Sequence, residues 1–236
     1  MKLAVCIMGQ NCEETIGMCL ESVSKADTII YLDGGSTDET EHIAHPYLVD
    51  KGVGLSNEYD QEDKQMNGKQ RNIYLDYLKK EHMGEWCLAL DADEVLEDFG
   101  IEKIKQTLEN VKEPLLLSPT MHHFVGDLGH EDATRQIHYV PNRLFKITDK
   151  LSYPEVEHPV LQGEKQGAIQ IELWHFRECL GVFQTQRKFE SNMLKSNMHS
   201  ELQLRQWQRD MLFGNYPRKR VHYDKLPYAI RRRFKI

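Results

Sequence analysis

The chain has 236 residues, 40% of them hydrophobic and 28% charged, enough for one large globular domain or a domain with a small appendage. No apolar run approaches the roughly 20 residues that cross a bilayer, which excludes a membrane-spanning helix from the expectations. Charge is unevenly placed: residues 218–236 hold eight basic side chains against Asp224 alone, a net of +7, so with −7 overall the preceding residues carry −14.

A basic tail on an acidic body is expected to be solvated, to dock on that body or to meet an anionic partner. Tyr228, Ile230 and Phe234 interleave with Arg231, Arg232, Arg233 and Lys235. That pattern suits peripheral contact with an anionic membrane through residues 218–236, by snorkelling and apolar insertion. The acidic body argues against nucleic acid. Five cysteines occur without a Cys-x-x-Cys pair, and Cys6, Cys19 and Cys87 sit in apolar patterns. Buried free thiols in a reducing cytosol are expected, and zinc is not.

In chain order, Met1 to Met8 is too short for a signal peptide and reads as a first strand. Ile16, Cys19, Leu20 and Val23 follow the i, i+3, i+4, i+7 rule of an amphipathic helix, with Asn11 and Glu14 as a capping box. Thr28 to Leu32 is a second strand, ending in Asp33-Gly34-Gly35-Ser36-Thr37-Asp38; Ser36 and Glu39 repeat the capping signature for a helix through His45. Tyr47 to Val49 reads as a short third strand and residues 52–68 as a loop. A helix with Ile73, Tyr74, Tyr77 and Leu78 on one face leads to the strand Trp86–Leu90, and then to a helix carrying Ile101, Ile104, Leu108 and Val111. This alternation predicts an α/β fold with a mostly parallel central sheet flanked by helices. After Pro114 the rhythm changes. Leu115–Leu117, Ile137–Ile147 and Ile169–Phe176 read as strands, Gly126–Thr134 as a polar loop, and 187–213 as helical, followed by the basic tail.

Asp91 and Asp93 follow the Trp86–Leu90 strand. Residues at i and i+2 of extended chain point to the same side, so the pair puts two carboxylates at the carboxyl end of a strand. Open α/β sheets bind ligands there, and carboxylates suit Mg²⁺ or Mn²⁺ held together with substrate phosphates.

Four ordered stretches resemble the family 2 glycosyltransferases, which have the GT-A fold. They are Val5 to Val23, including Asn11 and Glu13 or Glu14; Asp33-Gly34-Gly35-Ser36-Thr37-Asp38-Glu39-Thr40; Gly68-Lys69-Gln70-Arg71-Asn72; and Asp91-Ala92-Asp93, the family's D-x-D motif. Further on, Arg143-Leu144-Phe145, Tyr153, His158 and Trp174-His175-Phe176 resemble the branch that contains lipopolysaccharide-core glycosyltransferases. That branch usually has a glutamate after its first histidine, where this chain has Pro159.

The resemblance implies a GT-A domain over 1–180, with a nucleotide-binding half (1–115) and an acceptor half (116–180), and a helical segment with the basic tail over 181–236. It implies inverting, metal-dependent transfer of a sugar from a nucleotide-diphosphate donor, a UDP-sugar being favoured. The acceptor would be a glycan, glycolipid or other hydroxyl in cell-surface polysaccharide or lipopolysaccharide-type synthesis, and the location cytoplasmic, at the inner face of the membrane if the tail binds there. By the same resemblance, Gly9, Asn11, Glu13, Asp33, Arg71, Asp91 and Ala92 meet the nucleotide-sugar. Asp93 and His175 are the metal ligands for Mn²⁺ or Mg²⁺, and imidazole biases the choice toward Mn²⁺. Asp91, also placed among the catalytic residues, would bind the metal through water or the ribose. An inverting transfer also needs a general base near the acceptor hydroxyl. Glu155, Glu157, His158, Glu131 and Asp132 are candidates, with Glu157 or His158 preferred. Two other readings remain open: Asp91-Ala92-Asp93-Glu94-Val95 also resembles the nucleophile strand of haloacid dehalogenase-type phosphatases, and the fold has non-catalytic sugar-nucleotide-binding forms.

Overall fold

A computed structural model describes residues 1–60, 63, 65–133, 142–156, 158–178 and 217–235. The first four strands are β1 (Leu3–Gly9), β2 (Thr28–Asp33), β3 (Gly52–Ser56) and β4 (Trp86–Asp91). They lie side by side as β3-β2-β1-β4 and all run parallel. Parallel neighbours need crossovers, supplied by α1 (Ile16–Ser22), α2 (Thr40–Leu48) and α3 (Met66–Glu81). Helices cover both faces, so the central strands are apolar throughout. Leu3, Val5, Ile7, Leu88 and Leu90 pack with Ile16, Cys19 and Leu20 of α1. On the other face the smaller Ala4, Cys6, Cys87 and Ala89 make room for Tyr74, Leu75 and Leu78 of α3. The chain leaves β1 toward β2 on one side and returns through β4 on the other. The crevice at that reversal, beyond the strands' carboxyl ends, is where such sheets bind ligands.

The second half adds β5 (Glu94–Leu96), α4 (Gly100–Leu108), β6 (Leu115–Val125), β7 (Asp127–Asp132), β8 (Leu144–Lys146), β9 (Lys165–Glu178), β10 (Arg218–Arg220) and α5 (Tyr228–Phe234). The sheet continues from β4 through β8, β6, β7 and β10, each pair antiparallel. β9 runs parallel to β6 and carries β5 antiparallel on its other edge. This places β5, β9 and β6 side by side just beyond Asp91-Ala92-Asp93.

Several local expectations are corrected. The third strand is Gly52–Ser56, inside the expected loop, and Tyr47 and Leu48 belong to α2 instead. Glycine-rich edge strands carry little propensity signal, and this one forms by pairing with β2. Residues 127–132 are a strand, not a polar loop: Gly126 turns at φ +75 and folds them back on β6. Neither predicted capping box forms, since α1 starts after Thr15 and α2 after Glu39 without a side-chain cap. Asn11 and Ser36 instead join two loops to each other. The helical reading of 187–213 and the 134–141 part of the Ile137–Ile147 strand lie outside the described residues.

The basic tail docks on the acidic body. β10 pairs with β7, and Lys219 lies 2.9 Å from Glu131. Arg231 meets Asp98 at 3.3 Å and Arg232 meets Glu21 at 2.5 Å. Such exposed pairs contribute little. The apolar side of α5 matters more: Ala229 and Ile230 complete a cluster with Met18, Val95, Phe124, Trp174 and Phe176. Ile230, expected to insert into a membrane, is fully buried in the protein. No described helix is long and apolar enough to cross a membrane.

Candidate active site

The loops after β1 and β2 are joined by hydrogen bonds between residues about 25 positions apart. Asn11, at φ +51, donates its N–H to Ser36 Oγ (3.0 Å), and its Oδ1 accepts from the Thr37 N–H (2.8 Å). Asparagine is among the few residues that adopt this backbone state readily. Cys12 N–H donates to Thr40 Oγ1, Glu13 N–H to Asp38 Oδ2, and Glu39 N–H to Glu13 Oε2. Asp33 is buried, and four donors converge on it: Tyr31 Oη and Ser36 Oγ on Oδ1, and the Gly35 and Ser36 N–H groups on Oδ2. These fill the acceptor positions of a carboxylate. In this structure Asp33 therefore orders its own turn.

Gly9 marks the closest approach of β1 to the Asp91-Ala92-Asp93 turn. A Cβ there would lie 2.5 Å from Ala92 Cβ, and the Ala92 N–H donates to Met8 C=O. Ala92 is buried by this contact, so its side chain spaces the two strand ends.

Asp91 is held by two arginines. Arg71 Nη2 lies 2.6 Å from Oδ1 and Arg143 Nη2 2.8 Å from Oδ2. Arg143 Nη2 also reaches Glu94 Oε1 at 2.6 Å, while Glu94 Oε2 accepts from the Asp91 N–H at 3.0 Å. Burial opposes the charge on Asp91, but the Arg143 and Arg71 guanidiniums outweigh it and hold the carboxyl well below the usual range. For Glu94 burial dominates over the pull of Arg143 and lifts the carboxyl to about 7.

Arg71 comes from Gly68-Lys69-Gln70-Arg71-Asn72, and the fold explains the neighbours. A Cβ on Gly68 would meet Pro154 C=O at 2.2 Å, so only glycine lets the 153–159 loop lie on α3. Asn72 then clamps Tyr153, donating to its C=O (2.9 Å) and accepting from its N–H (3.0 Å). That loop carries His158, which is exposed and lines a cavity of about 340 Å³ together with Asp91, Arg71, Arg143, Asn142 and Tyr153. Glu157 lies outside the described residues. Glu155 is exposed. Glu131 is bound to His122 (2.7 Å) and Lys219, and the His122 hydrogen bond leads in pulling it down to about 2. So strong an acid held in an ion pair makes a poor base. Asp132 is buried.

Asp93 and His175 come together: Asp93 Oδ1 is 3.5 Å from His175 Nε2, and the Phe176 N–H donates to Asp93 C=O. Both side chains are only partly accessible, 14% and 12%. A carboxylate and an imidazole make a suitable donor pair for Mn²⁺, and such ions commonly take one or two protein ligands plus substrate phosphate oxygens and water. The residues present fit that arrangement. Among the described residues, no group of three or more His, Cys, Asp or Glu side chains could hold a metal ion. Asp91, with both oxygens on arginines, is outside that pair. The sequence reading missed His123, whose Nδ1 is 2.9 Å from His175 Nδ1, and Glu94. It also gave Arg143 no role. Arg143 and Glu94 stand in stretches that carry a family resemblance without a role attached to them, and nothing in the local sequence marks His123.

This architecture, with its strand-end loops facing a carboxylate turn, is that of a nucleotide-sugar glycosyltransferase of the GT-A class. Residues 4–159 match the model of glycosyl transferase family 2, and the chain belongs to that family. Among solved structures it is similar to S. aureus TarS: residues 1–349 at 16% identity and TM-score 0.52, covering 90% of this chain and 71% of that one. A longer TarS chain gives 16%, TM-score 0.51 and coverages of 90% and 43%. Glucosyl-3-phosphoglycerate synthase from Mycobacterium tuberculosis, solved with Mn²⁺, UDP and glucosyl-3-phosphoglycerate, gives 13%, TM-score 0.47 and coverages of 85% and 81%. No curated protein sequence matches the chain. Family membership replaces the phosphatase reading, which Asp91 also disfavours, being tied to two guanidiniums rather than poised as a nucleophile.

Proposed function

We propose that this protein transfers a sugar, with inversion, from a nucleotide-diphosphate donor to a hydroxyl of a glycan or glycolipid, a UDP-sugar being the favoured donor. The observation that carries the metal-dependent form of this reading is the approach of Asp93 Oδ1 to His175 Nε2 at 3.5 Å, beside the arginine-held Asp91. Asp93 and His175 would hold Mn²⁺ or Mg²⁺, which as a Lewis acid stabilises the charge on the departing diphosphate. The chain's own residues do the rest. The interlocked loops of Asn11, Glu13 and Ser36 give the nucleotide a pre-shaped edge, and Asp33 keeps that edge rigid. Arg71 and Arg143 place positive charge around the Asp91 carboxylate and the adjoining cavity. His158, on the loop clamped by Asn72, takes the proton from the acceptor hydroxyl, with Glu157 the other candidate. The role in lipopolysaccharide-type or other cell-surface polysaccharide synthesis rests on the Arg143, His158 and His175 pattern. Tyr228, Arg233 and Phe234, the outward part of the tail, would face the membrane of a glycolipid acceptor.

The test is a panel of UDP- and GDP-sugars with Mn²⁺, Mg²⁺ or EDTA, read as slow donor hydrolysis. Metal-dependent release of the diphosphate from one sugar nucleotide is expected, and His158→Ala should slow transfer by roughly 10²–10⁴-fold without weakening donor binding. Phosphate-ester hydrolysis without any sugar nucleotide would sink the proposal.

A further inference from the structure

We infer that His123 is a positioning residue for the proposed cation site: its Nδ1 accepts the Nδ1–H of His175, which turns the bare Nε2 of His175 toward Asp93. The inference rests on Asp93 and His175 being the cation ligands.

The strand register builds this arrangement. Glu94 of β5 stands opposite His175 of β9, and His175 stands beside His123 of β6. The Asp93 backbone is tied to the same strand by the Phe176 N–H. Three consecutive strands thus set one carboxylate and two imidazoles in a row across the sheet. The two imidazole rings meet edge to face, with centroids 5.0 Å apart and planes at 69°, and their Nδ1 atoms are 2.9 Å apart. That separation is a hydrogen bond, so one Nδ1 carries the proton and the other accepts it.

With both rings neutral, two arrangements satisfy this bond, and a doubly protonated His175 would face Asp93 with an Nε2–H as the first of them does. If His175 accepts, its own proton sits on Nε2 and faces Asp93. A charge-assisted N–H···O⁻ bond closes to about 2.7–2.9 Å, whereas Asp93 Oδ1 is 3.5 Å away. If a neutral His175 donates, its Nε2 turns a lone pair toward the carboxylate, and the 3.5 Å separation is that of two ligands of one cation rather than of a hydrogen bond. The second arrangement suits the observed gap. It gives His123 the task that partners of ligating histidines usually perform, fixing tautomer and ring orientation.

Long-range ¹⁵N–¹H correlation spectra of histidine-labelled, metal-free protein read the tautomers directly. His175, assigned through His175→Ala, should be protonated on Nδ1 and bare on Nε2. His123→Leu, which removes the acceptor, should shift His175 toward the Nε2–H form, and His123→Asn, which returns an acceptor oxygen, should restore it. A wild-type His175 bearing a proton on Nε2, alone or with Nδ1, overturns the inference even if the variants fail to fold. Mn²⁺ alone, titrated by the EPR signal of the free ion, supplies the second measurement. His123→Leu should weaken binding about 10–100-fold and His123→Asn only a few-fold. If His175→Ala binds Mn²⁺ as wild type does, the ligand reading itself is wrong. If His175→Ala loses Mn²⁺ while His123→Leu keeps it, only the positioning role fails.

Discussion

The two sides of the crevice are stabilised differently. After β1 and β2, polar groups are satisfied by loop neighbours in pairs about 25 residues apart: Asn11 with Ser36 and Thr37, Glu13 with Asp38 and Glu39, Cys12 with Thr40. Most of these groups are exposed or half-buried, and the bonds are between backbone N–H groups and side-chain oxygens. Around Asp91 the partners are buried charges brought from afar, Arg143 lying 52 positions from Asp91 and 49 from Glu94. Hydrogen bonds with access to water are worth about 1 kcal/mol each and forgive loss. Buried charges do not, because removing one leaves its partner desolvated and alone. The first region is therefore expected to tolerate substitution and the second to resist it.

The largest expected effect is on chemistry. Asp93→Asn keeps shape but removes the anionic ligand, and should lower kcat by about 10³-fold, the several kcal/mol a Lewis acid supplies. Single-turnover rates at saturating Mn²⁺ check this, and an unchanged rate would detach Asp93 from the reaction. Next comes Arg143→Met, which takes from Glu94 its arginine and leaves Asp91 with Arg71 alone, and should cost about 3 kcal/mol in urea denaturation. A loss no greater than that of a loop substitution would erase the contrast between the two regions.

Glu94 sharpens the contrast through pH. Its carboxyl stands at about 7 in the fold and near 4.3 when unfolded. The native state therefore holds the proton longer, so this contribution is complete below about pH 4 and disappears as pH rises through 7. Glu94→Gln should flatten the stability decline between about pH 4.5 and 7 by up to about 3 kcal/mol, measured in EDTA. A profile that keeps the wild-type slope would show Glu94 to be ionised throughout. The smallest effect belongs to the first region. Ser36→Ala removes one bond to Asn11 and one to Asp33 and should cost about 2 kcal/mol by thermal melting.

Legibility in the sequence follows the same division. The alternation of strands and helices over residues 3–108, the apolar faces of α1 and α4, and the carboxylate turn after β4 were all readable. Each depends on periodicity or on a short motif. β3 and β7 were not, since Gly52–Ser56 and Asp127–Asp132 become strands only by lying against β2 and β6. Asn11 and Ser36 look like caps because cap residues and loop-lacing residues are the same short polar types, and only the meeting of the two loops decides between them.

For this protein the sequence alone determined three of the four parallel strands, the family, and Asp91-Ala92-Asp93 as the turn to examine. Tertiary structure decided the partners of the two carboxylates. It committed Asp91 to Arg71 and Arg143, left Asp93 beside His175, and placed His123 behind that histidine. It also decided that the basic tail rests on the protein itself, through Ile230. The physical reason is range: side-chain periodicity and turn chemistry act over a few residues, while a buried charge takes its partner from whatever strand the sheet brings alongside.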